Sequence, residues 1–66
     1  MLRIIKIIND IEWMNNKVHL EVEEDKERYY IYRWDEFTSV SKKEFKRMKD
    51  KDVKEWIEDE FVLYSK

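Results

Sequence analysis

The chain has no cysteine, no proline and no glycine in its 66 residues, and each absence removes a class of structure. Without cysteine, disulfides and thiolate metal centres are excluded, and the chain suits a reducing compartment. Without glycine, the usual phosphate-cradling loop and nucleophile elbow cannot form. Turns then fall to Asn and Asp, which tolerate left-handed backbone angles better than other residues. Asn9-Asp10, Asn15-Asn16 and Glu24-Asp25 are the turn candidates. No apolar run approaches the roughly 20 residues of a membrane span, and residues 1–9 have neither the length nor the cleavage site of a signal peptide.

What is present fits one small domain over residues 1–66, with a core near the lower limit for independent stability. Dimerisation is the staple left to such a chain. Three Trp, four Tyr and three Phe exceed what one small core readily encloses, since each aromatic buries roughly 150–250 Å². The net charge of −2 conceals segregation along the chain. Residues 21–28 carry five acids against two bases, and residues 55–60 four acids against none. Residues 42–54 carry seven bases against three acids.

Residues 17–34 organise the rest. Val18, Leu20 and Val22 alternate with His19, Glu21 and Glu23, the period of a strand with one buried face. Beyond an acidic turn at residues 24–27, Tyr29, Ile31 and Arg33 alternate with Tyr30, Tyr32 and Trp34. This second strand is apolar on both faces, so one side packs on helices and the other requires a second layer or another molecule.

Before this hairpin, the isoleucine-rich stretch of residues 2–8 reads as a buried strand because β-branched side chains favour one, although Ile4, Ile5, Ile8 and Ile11 also fit a helical stripe. Residues 11–14, Asn15-Asn16 and Lys17 onward read as a hairpin, giving an antiparallel meander through Trp34. After it, residues 35–40 read as a connection. Ser41 and Glu44 stand at capping-box spacing, with Val40 and Phe45 at the staple positions, so a helix is expected from Lys42 to Met48. Asp52 and Glu55 repeat the spacing before Val53, Trp56 and Ile57, and residues 61–64 read as an edge strand, with one helix over residues 52–64 as the alternative. The expected fold is α+β, an antiparallel meander against one or two short helices with a C-terminal edge strand.

No catalytic or cofactor chemistry emerges. His19 has no second histidine or cysteine to share a metal. The acids of residues 21–27 lack the glycine turn of a calcium loop and the cleft of a catalytic pair; they form a solvated turn or a surface for a basic protein. Thr38, Ser39, Ser41 and Ser65 have no histidine nearby in sequence, and capping already explains Ser41. The basic helix of residues 42–54 offers a nucleic-acid surface, which the overall acidity opposes. Tyr29, Tyr30, Tyr32 and Trp34 suit base stacking, or packing on one face and a protein interface on the other. No enzyme activity, cofactor or metal is expected.

The acid-rich turn, the Tyr29-Tyr30-x-Tyr32 strand, the helix of residues 41–45 and the acidic C-terminal segment follow in one order. In that order residues 18–63 resemble the very small uracil-DNA glycosylase inhibitors of Bacillus short-tailed phages. Members of that family are homodimers that mimic DNA and engage the hydrophobic loop of the glycosylase with paired phenylalanines and acids. The resemblance implies an inhibitor in the bacterial host cytoplasm, contacting the glycosylase and not nucleic acid. By position Phe45 matches the family's exposed phenylalanine; Ile31 stands where the family has an acid, and Lys49 where it has a tyrosine. Asp35, Glu36 or Glu44 stands in for that acid, with nothing in the sequence selecting among them, and Tyr30, Tyr32 and Met48 complete the implied contact surface. The alternatives are a nucleic-acid binder using the basic helix, or another protein-binding regulator.

Overall fold

The isoleucine-rich opening is a helix, α1 (Arg3–Asn9), not a strand. Ile4, Ile7, Ile8 and Ile11 recur at helical spacing and are all enclosed; a strand would have turned Ile4 and Ile8 away from Ile7. Burial of that stripe outweighs the small helix penalty of β-branched side chains. This computed structural model describes residues 2–13 and 15–63. Met14 and Tyr64, which the expected hairpin and edge strand included, and Ser65 lie outside them.

A minimal hairpin follows, β1 (Glu12–Trp13) with β2 (Asn16–Lys17), with Trp13 opposite Asn16. Its turn therefore sits one residue earlier than Asn15-Asn16, and Asn15 takes the left-handed angle, φ 65°. Lys17 Nζ donates to the Asn9 carbonyl at 3.1 Å, satisfying an orphan acceptor at the end of α1.

The main sheet is antiparallel in the order β3 (Glu21–Glu24), β4 (Arg28–Arg33), β5 (Glu36–Ser41). Val22 faces Ile31 and Ile31 faces Thr38; Glu21 faces Tyr32 and Tyr32 faces Phe37. The stretch read as a connection is thus the third strand of the meander, while the segment before Lys17 belongs to a separate two-stranded sheet. Phe37, Ser39 and Ser41 alternate with Thr38 and Val40, a period masked by the serines. The β3–β4 turn is an Asx turn: Asp25 Oδ1 accepts from the Glu27 and Arg28 amides, each at 2.7 Å.

Helix α2 (Lys42–Arg47) starts where expected, with Ser41 Oγ accepting from the Glu44 amide at 3.0 Å. Helix α3 (Asp50–Glu60) starts two residues before Asp52, which instead accepts from the Lys49 amide at 3.3 Å from the third helical position. No strand follows among the described residues. The Leu63 amide donates to the Glu58 carbonyl at 2.7 Å and the Val62 amide to Asp59 at 3.3 Å, with Val62 at φ 53° between two enclosed residues, Phe61 and Leu63. That is a Schellman closure with valine where glycine usually stands. The expected edge strand gives way to it because Phe61 and Leu63 reach the core by wrapping the helix end.

The fold is therefore α+β, a three-stranded antiparallel sheet with three helices. The core joins Ile4, Ile7, Ile8 and Ile11 to Ile31 and Val40 from the sheet and to Val53, Ile57, Phe61 and Leu63 from the C-terminal helix and its closure. Arg3 fastens α1 to the α2–α3 junction, through Nε to Asp50 at 2.6 Å, Nη1 to the Phe45 carbonyl at 3.2 Å, and Nη2 to the Met48 carbonyl. Among the described residues no helix is long and apolar enough to cross a membrane.

Candidate functional site: the outer sheet face

Strand alternation decides which side chains remain outside. With Ile31 on the core, Arg28, Tyr30 and Tyr32 project to the opposite side of β4. The register adds Glu21 and Glu23 from β3, and Phe37 and Ser39 from β5. The result is one open face: a carboxylate strand, a tyrosine strand, and a strand bearing Phe37 and serines.

Aromatic rings form the centre of this face. Tyr32 and Phe37 stack with centroids 5.8 Å apart and planes at 29°, and Phe37 remains 64% exposed. At the end of the ladder Trp34 begins the two-residue connection to Glu36, at φ 54° and 86% exposed. A left-handed angle at a bulky residue is a strained choice. The Arg33 guanidinium lies over the Trp34 ring, 4.5 Å from its centroid, while its Nη1 donates to the Phe61 carbonyl at 3.2 Å.

Polar contacts fix the other half of the face. The Tyr30 hydroxyl donates to Asp25 Oδ2 at 2.8 Å, and Arg28 donates to Ser39 Oγ at 3.1 and 3.3 Å. The Glu27 amide, the Tyr30 hydroxyl and the Arg28 amide together hold the Asp25 carboxyl below the usual carboxylate range. In return, the bond to Asp25 pushes the Tyr30 phenol up. These bonds immobilise Tyr30 and Arg28 without burying either.

The residues expected to share one contact surface divide into two groups. Tyr30 and Tyr32 lie on the open face; Asp35 is exposed in the hairpin connection, and Glu36, also exposed, shares the side of Thr38 and Val40. Glu44, Phe45, Met48 and Lys49 belong to α2 and its C-terminal edge, in the layer packed on the sheet's other side. Phe45 is the clear correction. It is 5% exposed, with Tyr29 edge-on at 5.1 Å and the Arg3 guanidinium 4.7 Å from its centroid. The staple with Val40, also 5% exposed, wins because the sheet offers Tyr29 and Val40 at the spot that the helix's one inward aromatic reaches.

Phe37 is the surface residue the sequence reading missed. Its signal was the alternation of Phe37, Ser39 and Ser41 with Thr38 and Val40. The basic residues, by contrast, scatter over the helices. Lys42 pairs with Glu24 at 3.0 Å, while Lys6, Lys51 and Lys54 share a shallow recess with Asp10 and Asp50, so no single-sign groove forms there. His19 Nε2 lies 3.6 Å from Glu21, well exposed, and among the described residues no group of three or more potential ligands converges on a metal position.

The chain has no significant match to any family model, curated protein or solved structure.

Proposed function

We propose that the protein is a non-catalytic inhibitor that binds uracil-DNA glycosylase as a DNA mimic, with the outer sheet face as its contact surface. One observation carries this reading: the half-buried Tyr32 and the exposed Phe37 stack beside a strand bearing Glu21 and Glu23. A base-flipping enzyme presents a basic groove and an apolar wedge. Its protein ligand needs acids for steering and alignment, and aromatics as desolvated anchors. The choice of glycosylase rests on the resemblance of residues 18–63 to the phage inhibitors; the contact residues rest on geometry. Because Phe45 is enclosed, the role that the resemblance gives it passes to Phe37.

The test is uracil excision from a labelled duplex by a bacterial uracil-DNA glycosylase, with the protein titrated at low and at high salt. Stoichiometric inhibition that weakens with salt supports the reading, since screening acts on an acidic surface approaching a basic groove. Full excision at a large molar excess of the protein rejects it.

A further inference from the structure

Among the described residues, Trp34 combines backbone strain with nearly complete exposure: its φ is 54° and 86% of it meets solvent. Arg33 faces Glu36 as the last pair of the β4–β5 ladder, so Trp34-Asp35 is a two-residue hairpin turn. The first position of such a turn takes a left-handed angle, which suits glycine or asparagine and not a bulky ring. Val62 has a similar angle, φ 53°, but that angle belongs to the closure that brings Phe61 and Leu63 into the core. The Trp34 ring brings no comparable burial.

The ring is nonetheless held in place. The Arg33 guanidinium lies over one of its faces, 4.5 Å from the centroid, and Nη1 of the same group donates to the Phe61 carbonyl at the end of α3, at 3.2 Å. An exposed cation–π contact contributes less than a left-handed bulky residue costs, so this contact orients the indole without offsetting the turn. Strain of this kind, unexplained by packing, is characteristic of functional positions. An exposed aromatic fixed in advance also loses little freedom on binding.

From this we infer that Trp34 is a partner-binding anchor, its free face and edge entering an apolar pocket with a basic rim on a protein. The chemistry of that pocket follows from the neighbours of the ring. Asp35 and Glu36 are exposed beside it, and the Arg33 charge is engaged with the indole and the Phe61 carbonyl. The hairpin tip therefore offers an apolar centre bordered by carboxylates, which lysines and arginines around a pocket complement. A nucleobase also stacks on indole, but the same acids repel the phosphates that accompany it.

This deepens the inhibitor reading and rests on it for the identity of the partner. The hairpin tip adds a second anchor, beyond the Tyr32–Phe37 stack, to the surface that meets the glycosylase groove, and Trp is among the residues that most often dominate an interface.

Trp34→Gly separates binding from folding, because glycine relieves the turn while removing the ring. The variant should melt at a higher temperature than wild type and bind the glycosylase more than tenfold more weakly. Trp34→Phe, which keeps an aromatic at the tip, should recover most of that affinity, and Asp35→Lys should slow association at low salt and not at high salt. Unchanged affinity in folded Trp34→Gly, beside a wild-type chain that binds, would overturn the anchor and leave the Phe37 face as the contact. A wild-type chain with no affinity for the glycosylase would overturn the inhibitor reading and the anchor together. Binding of a labelled oligothymidylate by wild type, abolished in Trp34→Gly, would assign the ring to a nucleobase and overturn the protein partner.

Discussion

Tyr32 lies directly across the β4–β5 ladder from Phe37, and the two rings stack at 5.8 Å on the side of the sheet away from the helices. Cross-strand aromatic pairs contribute roughly 0.2–1 kcal/mol to a sheet, so this pair helps hold β5 in register. It also leaves most of Phe37 in contact with solvent. An aromatic that contributes modestly to the fold and remains exposed is available as a binding anchor.

Phe45 behaves in the opposite way. Enclosed between Tyr29 and Arg3, it should cost about 3–5 kcal/mol of stability when cut to alanine, through lost burial and the cavity left behind. Urea unfolding of Phe45→Ala is the check. A loss under about 1 kcal/mol would mean that the α2 contact is not part of the core.

Ser41 makes a smaller, local contribution. Its hydroxyl accepts from the Glu44 amide, and Ser41→Ala should lower stability by about 1 kcal/mol, seen as a lower denaturation midpoint with an unchanged slope. An unchanged midpoint would move the helix start elsewhere.

Val62 is a site for improvement. A left-handed angle on a β-branched residue costs roughly 1–2 kcal/mol, and Val62 is 63% exposed, so little packing is lost with its side chain. Val62→Gly should therefore raise the melting temperature, by about 0.5–1 kcal/mol of stability once the greater freedom of glycine in the unfolded chain is deducted. A lower melting temperature would contradict the Schellman closure.

Asp25 and Tyr30 set the pH response of the β3–β4 turn. The depressed Asp25 carboxyl contributes stability that is present above its unfolded value and lost as pH falls through the folded one, below about pH 4. The raised Tyr30 phenol contributes stability present below its unfolded value, near 10, and lost as pH rises through the folded one. Carboxyl chemical shifts should show Asp25 titrating below the ordinary Asp value. Titration at an ordinary Asp value would remove the Asx-turn and phenol contacts as the cause.

Local chemistry made some of this fold legible in the sequence. The Ser41 cap, the Val40–Phe45 staple and the two faces of Tyr29 to Arg33 each depend on neighbours in the chain, and the structure places them as their spacing implies. The isoleucines of α1 favour a strand by propensity; only the enclosure of Ile4, Ile7 and Ile8 on one face decides for the helix. Strand β5 was obscured by its serines. Left-handed turns at Trp34 and Val62 had no signal, since neither residue favours that angle and tertiary contacts impose it. For the contact surface, Tyr30 and Tyr32 were legible from alternation alone. The exposure of Phe37 and the enclosure of Phe45 required knowing which side of the sheet the helices cover.

The most direct measurement of the account is a paired comparison of Phe37→Ala and Phe45→Ala in glycosylase binding, each normalised to its folded fraction by thermal unfolding. The outer-face account predicts that Phe37→Ala melts within a few degrees of wild type and binds about 30-fold more weakly, the roughly 2 kcal/mol of a central aromatic anchor. It predicts that Phe45→Ala melts far lower, with the affinity of its folded fraction unchanged. Wild-type affinity in Phe37→Ala, with lost affinity in folded Phe45→Ala, would place the contact on the helix layer and contradict the account.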